Sequence, residues 1–184
     1  MRILLVYASH FGQTFAIASR IAQRLRDIGH HVELANADAG IRMLPPPDDY
    51  DAVILGSRIE YQHHDRKLVD YIRVYRDALT RMPTGFFSVS MAAATPSPDG
   101  DPAHYLAGLF EGTGWHPTEA TAFAGALAYR RYGWFTRQLM RAISKRKGGT
   151  TDTSRDHVFT DWTAVLAFAD RFAHRAIANA TAAL

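Results

Sequence analysis

Arg2-Ile3-Leu4-Leu5-Val6-Tyr7-Ala8-Ser9-His10-Phe11-Gly12-Gln13-Thr14 is the stretch whose reading decides the fold. Through Ala8 it is an almost unbroken apolar run, partly β-branched, as expected of a short strand buried on both faces. Ser9-His10-Phe11-Gly12 stops that run. From Gln13 to Ile28 the apolar residues Phe15, Ala18, Ile21, Ala22 and Leu25 recur at helical spacing, with Arg20, Gln23, Arg24 and Asp27 between them. Gly29 then ends the helix in the usual C-terminal manner. A buried strand running through a short turn into an amphipathic helix is the opening of a βαβ unit.

The same alternation continues outward. His31–Ala35 reads as a second strand, and Pro45-Pro46-Pro47 closes a loop. Ala52–Leu55 is a third strand, which Gly56-Ser57 should cut off. Leu68, Tyr71, Ile72, Tyr75 and Leu79 predict one helix over Lys67–Arg81. Gly85–Val89 is a fourth strand, followed by a polar loop from Ala92 to Pro102 and a helix over Ala103–Gly112. Ala120–Leu127 is a fifth strand, and Asp161–Ile177 a final helix with Val165, Phe168, Phe172 and Ala176 on one face. Strands alternating with helices imply a doubly wound parallel sheet covered on both faces. Five strands suit the flavodoxin-like order 2-1-3-4-5, whose ligands lie beyond the carboxyl ends of the strands. The expectation is one α/β domain over residues 1–184, with a long basic insertion at 128–159 after the fifth strand.

The 184 residues suffice for one core without staples, and there is no cysteine. That removes thiol nucleophiles, disulfides and cysteine-based metal sites, and no metal is expected. No stretch approaches the roughly 20 apolar residues that span a bilayer. The start lacks a secretory signal, so a cytoplasmic protein is the expectation. The net charge is +3, but it is unevenly placed: between Ala120 and Thr151 there are no acidic residues and seven basic ones, Arg130, Arg131, Arg137, Arg141, Lys145, Arg146 and Lys147. Those seven exceed the whole net charge, so the remainder is net acidic and the basicity is a local patch.

The turn after the first strand has the chemistry of a phosphate loop. Backbone N–H groups at a helix N-terminus, a glycine for close approach and hydroxyls on Ser9 and Thr14 are what a phosphate needs. The alternative is that these hydroxyls only cap the helix. Without G-x-G-x-x-G or the lysine-bearing P-loop, a mononucleotide is favoured over a dinucleotide, and Asp38 is read as a surface residue. Ser9, His10, Phe11, Gly12, Gln13 and Thr14 are therefore the candidate phosphate residues. A flavin ring would lie against Ser57, Arg58, Ile59 and Tyr61 after strand three and Ser90, Met91 and Ala92 after strand four. Tyr61 offers a stacking face. His63 and His64, taken as exposed loop residues, are candidates for the ring or substrate, or bystanders.

Within the insertion, Trp134, Phe135, Leu139, Met140 and Ile143 fall at helical spacing among only positive charges. Residues 131–147 thus read as an amphipathic helix for an anionic membrane surface, each near-surface cation adding about 1 kcal/mol. The alternative is a helix packed on the domain with a solvated basic face. No nucleic-acid motif is present, and none is expected as a partner.

Four places in the chain together resemble the quinone-dependent protoporphyrinogen IX dehydrogenases of the flavodoxin superfamily. They are Gly12-Gln13-Thr14; Ala124-Gly125-Ala126-Leu127 with Tyr129 and Tyr132; Gly148-Gly149-Thr150-Thr151-Asp152-Thr153; and Thr160-Asp161-Trp162. The resemblance implies FMN as cofactor, a tetrapyrrole substrate, a membrane quinone as acceptor and peripheral attachment to the inner face of the cell membrane. The chemistry would reside on the cofactor, with no acid–base triad. Arg130 and Arg131 would meet substrate carboxylates, Tyr129 or Tyr132 would stack, and His63 would stand nearby. The chain departs from the family pattern at Phe11 (small or polar expected), Glu60 (basic), Gln62 (glycine) and Ala128 (arginine). The alternative functions are a flavodoxin-type electron carrier, an FMN-dependent NAD(P)H:quinone reductase, or a binding module that has lost FMN. An isoelectric point near 9.3 argues against the usually acidic carriers.

Overall fold

A computed structural model describes residues 1–9, 12–91, 93, 101–127 and 157–182. Five parallel strands form the central sheet: β1 (Arg2–Ala8), β2 (His31–Asn36), β3 (Ala52–Glu60), β5 (Thr84–Ser90) and β6 (Glu119–Ala124), in the order β2-β1-β3-β5-β6. A two-residue strand, β4 (His63–His64), turns back antiparallel on the end of β3. The helices are α1 (Gln13–Asp27), α2 (Arg66–Val74), α3 (Arg76–Thr80), α4 (Pro102–Thr113) and α5 (Trp162–Ala182).

Period-two alternation in strands buried on both sides sorts the side chains into two layers. Ile3, Leu5, Ile54, Phe87 and Phe123 face α1 and α5, where they meet Ile17, Ile21, Val165, Phe168 and Phe172. Leu4, Val6, Val53, Leu55 and Phe86 face α2 and α4, where they meet Leu68, Tyr71, Ile72, Leu109 and Trp115. Each such fully buried side chain contributes about 1.5–3 kcal/mol of transfer free energy. β2 returns to β3 through three 3-10 turns anchored by buried Ala37, Leu44 and Pro47.

Four sequence expectations need correction. Gly56 does not end β3. The strand passes through it to Glu60; a Cβ there would lie 2.0 Å from Cζ of Phe87, so the glycine admits a ring rather than making a turn. The helix expected over Lys67–Arg81 is interrupted at Tyr75, whose ψ of 17° divides α2 from α3 although the amides of Tyr75 and Leu79 keep their i−4 partners. The fifth strand ends at Ala124; after Gly125, Ala126–Leu127 (β7) pairs antiparallel with His157–Val158 (β8) in a separate ribbon. Finally, Phe15 leaves the α1 core stripe. It is 47% exposed with its ring 5.3 Å from Tyr7, and Thr14 and Ile17 complete the buried face. The basic stretch 131–147 lies outside the described residues, and the ribbon brackets it.

Candidate functional site

The strand register brings most of the sequence-predicted site residues to one end of the sheet. Ala8 pairs with Ser57, Arg58 with Val89 and Ser90 with Ala124, so the carboxyl ends of β1, β3, β5 and β6 open together beside the point where the chain winds both ways from β1. His10, Phe11, Ala92, Tyr129, Arg130, Arg131 and Tyr132 lie outside the described residues.

At the end of β1, Gly12 takes the left-handed conformation with φ 93° and starts α1, a conformation that favours glycine. Ser9 Oγ accepts hydrogen bonds from the amides of Gly12 at 3.2 Å and Phe15 at 3.3 Å. Two backbone donors at the start of the helix thus converge on one oxygen position. No acidic residue occupies the first turn of α1 to oppose an anion. Convergent N–H groups at a positive helix end fit a phosphate monoester. Thr14 is buried beside them. The Gln13 amide is committed elsewhere: Nε2 donates to Thr160 Oγ1 at 2.8 Å, and Thr160 Oγ1 donates to the Ala124 carbonyl at 2.7 Å.

The segment Ser57–His64, expected as a loop, is the end of β3, a two-residue turn and β4. Tyr61 and Gln62 have φ of 49° and 68°, so both central residues are left-handed, as in a type I′ hairpin turn. Neither is glycine, and each carries backbone strain. The hairpin is clamped from inside. The Arg58 guanidinium pairs with Glu60 at 2.9 Å and with Asp65 at 2.8 Å, Asp65 being only 9% exposed. Ser57 is fully buried, and its Oγ accepts from the Asp65 amide at 2.9 Å. Arg58 and Ser57 therefore brace the hairpin, Ile59 is half-buried in it, and Tyr61 stands at its tip with 90% exposure.

His64 is not the exposed loop residue expected. It is half-buried, with Nε2 3.2 Å from Ser88 Oγ and its ring edge-on to Phe86 at 5.2 Å. Burial, aided by the neighbouring His63, pushes it down from 6.5 to about 4, so it is neutral at pH 7. His63 stays exposed. At the end of β5, Ser90 is buried; its Oγ accepts from Ala93 and its carbonyl from Gly125, while Met91 is half-buried beside it. Sequence reasoning missed the roles of Asp65 and Thr160. Thr160 had a signal, because it begins a motif already singled out; Asp65 had none.

A doubly wound sheet, a glycine-started helix after β1 and loops gathered beyond β3 and β5 define the flavodoxin class of α/β proteins. The flavodoxin domain family matches residues 4–154, and the chain belongs to it. In three dimensions the chain is similar to oxidised flavodoxin 1 from Bacillus cereus, with a TM-score of 0.57 at 15% identity over 95% of this chain and 98% of that one, a likeness of fold. In sequence it is 34% identical over 176 residues to protoporphyrinogen IX dehydrogenase [quinone] of Escherichia coli (strain K12), spanning 95% of this chain and 96% of that protein. The protein of that name from Leishmania major is 32% identical over 177 residues, 94% of this chain and 74% of its own length. The chain belongs to this family, the quinone-dependent protoporphyrinogen IX dehydrogenases.

Proposed function

We propose that this protein holds FMN at the loop between β1 and α1, dehydrogenates protoporphyrinogen IX to protoporphyrin IX and passes the electrons to a membrane quinone. The observation that carries this reading is the match, over 94–95% of this chain, to relatives named for that reaction. The convergent amides around Ser9 and the left-handed Gly12 support it.

When bound, the flavin supplies a ring that takes up a hydride and releases electrons to a second acceptor. The chain's own residues bind and orient. The α1 N-terminus, Gly12 and the hydroxyls of Ser9 and Thr14 would hold the phosphate. Gln13 positions the loop through Thr160 rather than by direct contact. Tyr61 would cover a face of the ring, on a hairpin that Arg58, Glu60 and Asp65 keep in one place, with Ser90 and Met91 at the end of β5 beside it. Residues 131–147 rest on the anionic inner surface of the membrane, where the quinone resides. Among the described residues, no helix is long and apolar enough to cross a membrane.

The test is an anaerobic mixing experiment on protein loaded with FMN. Protoporphyrinogen IX should bleach the visible flavin absorbance, and added quinone should restore it. Flavin that stays oxidised with the porphyrinogen but bleaches with NADPH would make the protein a nicotinamide-dependent quinone reductase instead.

A further inference from the structure

Between α2 and α4, beside the β3–β4 hairpin, runs a groove of about 460 Å³ that the cofactor site does not use. Arg66 and Arg73 line it from α2; Gly108, Leu109 and Gly112 line it from α4; His63 closes the hairpin end.

Charge is the first observation. Arg66 and Arg73 are seven residues apart, hence on one helical face and about 10 Å apart along the axis. Among the described residues each has a single ionic neighbour, Asp70, at 3.9 and 3.8 Å, too far for a hydrogen bond. Their side chains are 93% and 57% exposed, and pairs of that kind hold little. Other arginines are engaged more closely: Arg58 by Glu60 and Asp65, Arg24 by Asp170, Arg171 and Arg175 by Glu119. The two in the groove keep donors for a ligand.

Room is the second. A Cβ built on Gly108 or Gly112 would meet no atom within 4 Å, so the α4 wall has open space in front of these two positions, between His104, Tyr105 and Thr113. Together with Leu109 this gives a surface suited to a flat apolar body. Position is the third. Gln62 and His63 belong both to the groove and to the hairpin that carries Tyr61, so a ligand held there reaches the candidate flavin site.

From these we infer that the groove receives the propionate-bearing edge of the tetrapyrrole. Arg66 and Arg73 each pair with a carboxylate, and the macrocycle leans over the hairpin toward the flavin. Arginine suits this role because its planar fork matches a carboxylate in bidentate geometry. The assignment rests on the porphyrinogen reading given above.

The experiment uses the full chain loaded with FMN, titrated in detergent with protoporphyrin IX and, separately, with its dimethyl ester, which has the same ring and no carboxylates. Wild type should prefer the diacid by about tenfold or more. Arg66→Gln/Arg73→Gln should abolish the preference while leaving ester affinity and the flavin spectrum unchanged. Gly108→Leu, which fills the groove from a helical position, should weaken both ligands. Equal affinity of wild type for diacid and ester overturns the inference. So does a preference that survives in the double variant, or one lost only in Arg130→Ala/Arg131→Ala. Turnover separates the two readings. Flavin bleaching with an unchanged KM in the double variant keeps the dehydrogenase and removes the groove. An arginine-dependent preference without bleaching keeps the groove and removes the dehydrogenase.

Discussion

The side-chain amide of Gln13 donates to the hydroxyl of Thr160 across 147 residues of sequence, and that hydroxyl in turn donates to the carbonyl that ends β6. The loop at the end of β1 is thereby tied to the point from which the β7–β8 ribbon and α5 depart. Two of the motifs that carry the family resemblance, Gly12-Gln13-Thr14 and Thr160-Asp161-Trp162, form one structural unit. Thr160→Val keeps the shape and removes both bonds in a buried setting. Stability should fall by about 1–3 kcal/mol. FMN should bind several-fold more weakly, because its loop loses its brace. Urea denaturation and flavin fluorescence titration read the two effects; unchanged FMN affinity would show that the link is structural alone.

Gly56→Ala should be costly although the position lies within a regular strand. The new methyl would overlap the Phe87 ring, which is fully buried and packed against Phe123 and Phe168. Overpacking of this kind costs about 1–3 kcal/mol. Adding Phe87→Leu should recover part of the loss, and a double-mutant cycle from urea midpoints measures the coupling.

Gln62→Gly should stabilise the protein. The residue sits at φ 68°, where glycine is at ease. Relief of strain on the order of 1 kcal/mol, less the greater freedom of glycine in the unfolded chain, raises Tm by a few degrees at most. A lower Tm would mean that the Gln62 side chain holds the turn.

His64 makes stability depend on pH. Its folded value lies near 4 and its unfolded value near 6.5. Below pH 6.5 the unfolded chain takes up a proton that the folded one refuses, so stability falls as pH drops from 6.5 to 4 and is full above that window. Allowing for partial exposure, the loss is about 2 kcal/mol. His30, lowered by burial and the nearby N-terminus, acts in the same direction. Urea midpoints at pH 7, 5.5 and 4 should decline in wild type and much less in His64→Leu.

The doubly wound sheet was legible in the chain alone, because burial on both faces forces nearly continuous apolar strands and a strict helical stripe, and its strand ends gather the candidate site residues. Ile3 to Val6 and the set Val165, Phe168, Phe172 and Ala176 could occupy no other environment, and all are fully buried. The candidate phosphate loop was equally local: a glycine, two hydroxyls and a helix start within six residues. Tertiary structure alone decided whatever depends on a distant neighbour. Gly56 reads as a breaker until the Phe87 ring is seen in the space of its missing Cβ. That Arg58 pairs with the Asp65 carboxylate and Ser57 Oγ accepts from the Asp65 amide is invisible in the sequence. His64 reads as exposed until Phe86 covers it. Periodicity records which face of an element is dry; it carries no information about which residue on another strand or helix stands opposite, and these assignments turned on that opposition.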